Sequence, residues 1–288
     1  MRLRVVHTTT YRYRHAVKLL RHRLVVRPRE GHDLRVTAMT LTLQPSCRVV
    51  WTRDVFGNSI ALVDWLEPSD LLQIVNDVTV ERTAPFPTEE IHDPWRTPFP
   101  PQYDPLEAGI TAAYQQPVFP EAAAPLMEWV HAGLTVNPDD AEGTMLRVCE
   151  LVHQRIAYRH RSEKGVQAPD TTLSLATGSC RDLATLMMEA ARGLGVAARF
   201  ASGYLHGTAS LAGHASTHAW TEVYLPTLGW RAFDPTIGAA TSLRHVATGV
   251  SSHPRGVMPV SGTFVGRGTD CLSMTAVVKT EELPDAVG

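Results

Sequence analysis

Nine prolines fall between Thr83 and Pro120, at Pro85, Pro87, Pro94, Pro98, Pro100, Pro101, Pro105, Pro117 and Pro120, and they constrain the fold more than any other feature. Each fixes φ and removes a backbone donor, so the stretch can be neither one continuous helix nor a central strand. It reads as a linker over 86–120 draped over the surface, with Trp95, Tyr103 and Phe119 as points where it is pinned down. The chain of 288 residues is thereby divided into an amino-terminal part, 1–85, and a carboxy-terminal part, 121–288. Each part is long enough for its own apolar core.

The hydrophobic period differs on the two sides of the break. Before it, Leu3–Val6, Leu24–Val26, Arg35–Leu43, Val49–Thr52, Ile60–Val63 and Leu71–Glu81 are short runs rich in β-branched residues. Turn formers separate them, at Pro28–Asp33, Pro45–Ser46 and Gly57–Ser59, which predicts an all-β sandwich-like unit. This part is also basic: residues 1–36 carry ten Arg or Lys against two acids, leaving 17 against 27 in the remainder. A nucleic-acid patch is one reading of that asymmetry. The alternation of Tyr11 and Tyr13 with Arg12 and Arg14 favours a simpler one, the dry and wet faces of one strand. Attraction between a basic first part and an acidic second part would account for the asymmetry equally well.

After the break the period is helical. Glu121–Leu134 reads as a helix with Pro125 in its first turn, and Asp139 or Asp140 can cap a second that runs to about Tyr158. Cys149 sits on the apolar stripe of that second helix, as plain core packing. Gly178-Ser179-Cys180-Arg181-Asp182 then precedes Leu183, Leu186, Met187, Ala190, Ala191 and Leu194, an amphipathic helix stopped by Gly193 and Gly195. Cys180 therefore lies in the first turn of a buried helix, with Ser179 or a neighbour as cap. Free N–H groups and the positive end of the helix dipole there stabilise a thiolate.

Val196–Leu205 reads as a strand, followed by a polar loop, His206–Ser216. Thr217–Leu225 then alternates, with His218, Trp220, Glu222 and Tyr224 on one face and Ala219, Thr221, Val223 and Leu225 on the other. Pro226–Gly229 supplies a turn and Trp230–Asp234 returns as a strand stopped by Pro235. If Leu225 faces Gly229, His218 and Asp234 become diagonal neighbours on one face, roughly 7–8 Å apart at the backbone. A slip of one residue would separate them. The pattern thus permits a His218–Asp234 hydrogen bond without requiring it. A zinc site built from Cys180, His206, His214 and His218 is the competing reading, but no two of these ligands have a firm local spacing.

These blocks resemble the bacterial transglutaminase-like proteins of the transglutaminase and papain-like superfamily, which are often described as cysteine proteases. The resemblance rests on Gly178-Ser179-Cys180-Arg181-Asp182-Leu183-Ala184, Ser202-Gly203-Tyr204-Leu205, His218-Ala219-Trp220-Thr221-Glu222-Val223-Tyr224-Leu225-Pro226, Leu228-Gly229-Trp230 and Phe233-Asp234-Pro235-Thr236. Tyr11-Arg12-Tyr13, Leu24-Val25-Val26-Arg27-Pro28 and Asp54-Val55-Phe56-Gly57-Asn58 resemble the β-rich region that precedes the core in this family. His245-Val246-Ala247 and Pro259-Val260-Ser261-Gly262 resemble its closing segment. Two departures stand out. Leu183 replaces a frequent aromatic residue, and Gly249–Gly256 reads Gly-Val-Ser-Ser-His-Pro-Arg-Gly near where relatives often have Gly-Arg-Asp-Tyr, which bears on substrate contacts.

The resemblance implies an α+β fold: a papain-like transglutaminase core, with a central helix against an antiparallel sheet, after the β-rich unit. Further strand material is expected at Leu272–Val278, within the carboxy-terminal part. The resemblance also implies Cys180 as nucleophile, His218 as general base and acid, and Asp234 as the group that orients it. The expected reaction is thiol-dependent acyl transfer at an amide through a thioester. Hydrolysis of a peptide or amide is the first reading, and glutamine transamidation or a non-catalytic peptide-binding module the alternatives. Trp220 and Tyr204, with Tyr224 and Trp230, are the candidates for lining a substrate cleft, and aromatic core packing accounts for them equally well. No cofactor or metal is expected, calcium included, since no acidic loop of the required density is visible. The expected partner is a peptide, protein or amide substrate, with no nucleic acid and no membrane. No apolar run approaches the ~18 residues of a membrane helix, and the start lacks a signal-peptide core. A cytoplasmic protein with Cys47, Cys149, Cys180 and Cys271 reduced is the expectation.

Overall fold

Six strands form first: β1 (Arg2–Leu19), β2 (His22–Leu24), β3 (Leu34–Gln44), β4 (Cys47–Arg53), β5 (Ser59–Trp65) and β6 (Ser69–Arg82). The computed structural model describes residues 1–83, 96–137, 139–161, 163–207 and 216–284. Trp95 and His214, both singled out in the sequence, lie outside the described residues. After the break come α1 (Pro105–Gln115), a 3₁₀ turn at Pro120–Ala122, α2 (Ala123–Gly133), α3 (Ala141–Arg155), β7 (Ala157–Tyr158), α4 (Pro169–Leu175), β8 (Thr177–Gly178) and α5 (Cys180–Gly193). The chain continues through β9 (Ala198–Leu205), β10 (Ser216–Leu225), β11 (Gly229–Asp234), β12 (Ala239–Ala240) and β13 (His245–Ser251). It ends in β14 (Val260–Ser261), β15 (Phe264–Val265) and β16 (Cys271–Leu283).

The amino-terminal unit is a sandwich of two sheets, one in the order β15-β1-β6-β3 with β16 also on β1, the other β14-β2-β5-β4. Its core holds Tyr13, Val17, Leu24, Ala61, Val63, Leu72 and Ile74. The expected strand at the end of the chain exists, yet it joins the other unit: β16 pairs antiparallel with β1 from Leu283 opposite Arg2 to Cys271 opposite Tyr13. β14 and β15 likewise pair with β2 and β1. The local pattern of a strand does not specify which sheet will accept it. Half of the ten basic residues in 1–36 are neutralised at home, since Arg2, Arg4, Arg21, Arg23 and Arg27 pair with Glu81, Asp77, Asp64, Asp54 and Glu30 of the same unit.

The stretch expected to be a linker contains α1. Asp104 caps it by accepting from the Leu106 N–H at 2.8 Å, and Pro105 occupies the first turn, where a missing donor is harmless. Leu106 and Ile110 are exposed, so the helix shows little of the apolar stripe that would reveal it in sequence. Tyr103 is pinned as expected: its hydroxyl accepts from the Ala197 N–H at 2.7 Å and donates to the Tyr224 carbonyl at 3.2 Å. Phe119 is held through its N–H, which donates to Glu189 Oε2 at 3.0 Å.

The second unit is a sheet in the order β12-β11-β10-β9-β13, covered on its two faces by different material. Ala198, Phe200, Ala219, Val223, Leu225 and Phe233 face α2, α3 and α5 in one apolar cluster. The amino-terminal unit meets the sheet at two places: Tyr204 and Val246 pack with Leu3, Val5, Val78 and Val80, and on the face opposite the helices Trp220, Ala201 and Val250 pack with Phe56. Asn58, fully buried, clamps the two units. Its side chain donates to the Val250 carbonyl at 2.8 Å and accepts from the Val250 N–H at 2.9 Å. The turn that presents it needs Gly57, at φ 74°.

Candidate active site

Cys180 opens α5, directly after the cap Ser179. The turn is held by Asp182, a buried carboxylate that accepts from the Ser179 N–H at 2.8 Å, Ser179 Oγ at 2.7 Å and the Gln167 N–H at 2.7 Å. It also pairs with Arg161, whose Nε lies at 2.7 Å. Hydrogen bonds and the Arg161 charge outweigh burial and hold this carboxyl below the usual carboxylate range. Gly178 is required by close packing, since a Cβ there would stand 2.8 Å from the Asp182 Cβ and 3.1 Å from Leu183. The Cys180 backbone N–H belongs to the first turn of α5, where no intrahelical acceptor exists.

α5 is docked on β10 by Thr221, whose hydroxyl donates to the Ala184 carbonyl at 2.7 Å. His218, earlier on the same strand and 6% exposed, lies near enough to Cys180 for the thiol to raise its pKa. The β10–β11 register places Leu225 opposite Gly229 and Thr221 opposite Phe233. His218 and Asp234 are therefore diagonal neighbours, with His218 Nε2 at 2.7 Å from Asp234 Oδ2. Since Nε2 is engaged by Asp234, Nδ1 is the nitrogen left for the thiol. Burial opposes a charge on His218, but the hydrogen bonds and charges of Asp234 and Cys180 prevail and raise its pKa to about 10. Asp234 is fully buried; burial favours its neutral form, yet hydrogen bonds from His218 and His245 hold it well below the carboxylate range.

Four donors converge on Asp234. Thr236 N–H and Oγ1 donate to Oδ1 at 2.9 and 2.7 Å, while Oδ2 meets His218 and also His245, whose Nε2 lies at 3.1 Å. His245 opens β13 and is 3% exposed. Its sequence block carried the family resemblance, but nothing in the local pattern pointed to Asp234. Two histidine nitrogens and a carboxylate oxygen thus come within 4.8 Å of one another, and hydrogen bonds account for the cluster. In the alternative zinc set, His206 turns instead to β16, with Nδ1 at 2.8 Å from Thr280 Oγ1.

The expected cleft residues occupy other positions. Trp220 and Tyr204 are each 2% exposed: Trp220 packs with Ala201, Val250 and Phe56, and Tyr204 with Leu3, Val5, Val78 and Val80. Trp220 stands edge-on to His245 at 5.4 Å between ring centres. Tyr204 meets His7 Nδ1 at 3.2 Å and the Val26 carbonyl at 3.4 Å. Neither offers surface to a ligand. By contrast, Tyr158 and Gln167, which the sequence could not locate, come to the turn that carries Cys180. Tyr158 pairs with Gly178 through β7 and β8, and burial, followed by the Cys180 and Asp234 charges, pushes its phenol up. The divergent Gly249–Gly256 segment is drawn into structural contacts: the Ser252 carbonyl accepts from Arg192 at 2.8 Å, and Val250 pairs with Asn58.

Comparison with known proteins agrees with this architecture. Residues 128–235 match the model of the transglutaminase-like superfamily, and residues 3–81 that of the bacterial transglutaminase-like N-terminal region. An uncharacterized protein of Mycobacterium tuberculosis is 27% identical over 277 residues, covering 91% of this chain and 87% of the relative. One of Mycobacterium leprae is 23% identical over 302 residues, covering 96% and 98%. Among solved structures, a Cytophaga hutchinsonii protein named "Putative Cysteine Protease" superposes with a TM-score of 0.74 at 14% identity, over 99% of this chain and 92% of that one. That likeness shows the fold. Among the described residues no helix is long and apolar enough to cross a membrane.

Proposed function

We propose that this chain, a transglutaminase-like protein whose core follows the bacterial transglutaminase-like amino-terminal region, hydrolyses an amide through Cys180, His218 and Asp234. One observation carries the reading: His218 Nε2 is bound to Asp234 at 2.7 Å, with Cys180 near enough to favour its charged form. A histidine fixed in this way can hold a thiolate as its imidazolium and return the proton later.

In the proposed cycle the Cys180 thiolate attacks the amide carbonyl, and the resulting oxyanion is met by the free Cys180 N–H. His218 gives its proton to the departing amine as the C–N bond breaks, leaving a thioester on Cys180. Water then attacks the thioester, His218 accepts its proton, and acid and thiol are released. A second amine in place of water would give transamidation, and hydrolysis is preferred because water is always present. Peptides, proteins or other amides are the substrate class, with neither nucleic acid nor membrane as a partner and the cytoplasm as setting.

The test is the pH dependence of iodoacetamide labelling, resolved for each of the four cysteines. Rapid labelling of Cys180 well below pH ~8.5, the usual thiol value, and at least tenfold slowing in His218→Ala are expected. A Cys180 no faster than Cys47 or Cys271 would overturn the reading and leave a peptide-binding module in its place.

A further inference from the structure

We infer that His245 is a positioning residue for the candidate triad: it fixes the Asp234 carboxylate so that its Oδ2 stays on His218. The inference rests on the proposed reading of Cys180, His218 and Asp234, and extends it to a residue on a different strand.

The argument begins with the tautomer of His245. The Ser242 backbone N–H donates to His245 Nδ1 at 3.1 Å. A ring nitrogen that accepts this bond carries a lone pair, so in the neutral ring the proton resides on Nε2. Nε2–H is the atom that faces Asp234 Oδ2 at 3.1 Å. The backbone at the entry to β13 thus commits His245 to donating, and the ring is further held by the Trp220 edge at 5.4 Å between centres.

The consequence appears at Asp234. A carboxylate can pivot about its Cβ–Cγ bond, and Thr236 restrains only Oδ1, through two bonds at 2.9 and 2.7 Å. His245 restrains the other oxygen. With both restraints present, Oδ2 lies where His218 needs it, at 2.7 Å. Trp220, on the same face of β10 as His218, packs beside both rings, with ring centres 6.3 Å from His218. A single packed layer therefore runs from β13 across β10 to β11, with Phe56 of the amino-terminal unit packed against its Trp220 cluster.

A merely structural role would leave the chemistry of Cys180 untouched once the protein is folded, whereas a positioning role would not. The titratable groups around this cluster are His218 on β10, Cys180 on α5, Cys149 on α3 and Tyr158 on β7, the last two close enough to feel the Asp234 charge. Of these, the Cys180–His218 pair is the one whose partition between thiol–imidazole and thiolate–imidazolium depends on where Oδ2 stands.

The experiment compares wild type, His245→Gln and His245→Met in the full-length protein. Gln can place an amide N–H close to where His Nε2–H was, while Met fills similar volume without a donor. Iodoacetamide labelling of Cys180 is followed from pH 5 to 9, with thermal melts to verify folding. His245→Met is expected to slow Cys180 labelling at pH 6 by about tenfold, the acid limb of the profile moving up by about one in pH. His245→Gln is expected to restore labelling to within about threefold of wild type. In an Asp234→Asn background the His245→Met change should have no further effect, since the group it positions is gone. Folded His245→Met with wild-type labelling overturns the inference, as does a Gln variant as slow as Met. If Met fails to fold, a folded but slow His245→Gln refutes it equally. Should wild-type Cys180 itself label like an ordinary thiol, indifferent to His218→Ala, the underlying reading fails, an outcome distinct from failure of the His245 role alone.

Discussion

Removing the Asp182 carboxylate is the sharpest test of how the nucleophile's turn is built. The carboxylate is 1% exposed and accepts from Ser179 N–H and Oγ, Gln167 N–H and Arg161 Nε and Nη2, at 2.7 to 3.1 Å. Asp182→Ala strands the buried Ser179 N–H and the half-buried Gln167 N–H, at about 1–3 kcal/mol for a buried donor left without a partner. Arg161 suffers less, because its side chain is 15% exposed and keeps Glu163 at 3.4 Å. Its lost charge-assisted bonds add about 1 kcal/mol. The total is about 4 kcal/mol, a large part of the ~5–15 kcal/mol that holds a typical domain, and corresponds to a fall in Tm of roughly 10 °C. Urea unfolding followed by tryptophan fluorescence at pH 7 measures it. Asp182→Asn should recover less than half, since its amide N–H₂ must face donors. The pH dependence adds a signature. The folded pKa of Asp182 is lowered, so its contribution is present above the unfolded value of ~4 and lost as pH falls through the folded value. The gap between wild type and Asp182→Asn should therefore close in acid. A loss below about 1 kcal/mol for Asp182→Ala at pH 7 would refute the reasoning.

Two further outcomes are expected. His7 is buried between the units and its pKa is lowered by burial to about 4, against ~6.5 when unfolded. The unfolded chain then binds the extra proton between those values, so the His7 contribution weakens as pH falls from about 6.5 to 4, by up to ~3 kcal/mol. His7→Gln should remove that dependence, and parallel pH–stability curves for the two proteins would count against it. At Gly203, in β9 between β10 and β13, a Cβ would lie 2.1 Å from the Val246 carbonyl and 2.9 Å from both Ala247 Cα and Trp220. Gly203→Ala should cost about 1–3 kcal/mol in urea unfolding, because neither neighbouring backbone is free to retreat; unchanged stability would mean the sheet yields.

Much of the architecture was legible because local periodicity reports which face of an element is buried. The alternation from Thr217 to Leu225 and the turn at Pro226–Leu228 allowed His218 and Asp234 to be paired without requiring it, and the structure realises the register in which Leu225 faces Gly229. Cys180 could be placed at a helix start because capping chemistry is local. α1 escaped notice for the same reason: Pro105 belongs to the proline run in composition, although in position it is an ordinary first-turn proline, and the helix exposes Leu106 and Ile110.

By itself, the sequence determined the two kinds of periodicity, the hairpin and the helix-start cysteine, all set by neighbours within a few residues. Tertiary structure alone decided which faces of the second sheet were sealed. Trp220 and Tyr204 have the composition of cleft residues, but on opposite faces of the sheet they are packed against residues of the amino-terminal unit, Phe56 for the first and Leu3, Val5, Val78 and Val80 for the second. It also decided that β16 returns to β1, across more than 250 residues of chain. It brought His245 from β13 to the carboxylate of Asp234 on β11, and Asn58 from the first unit to the backbone of Val250. Such contacts depend on how whole layers stack, and the bond each residue makes is set by a partner that its own neighbours in sequence do not encode.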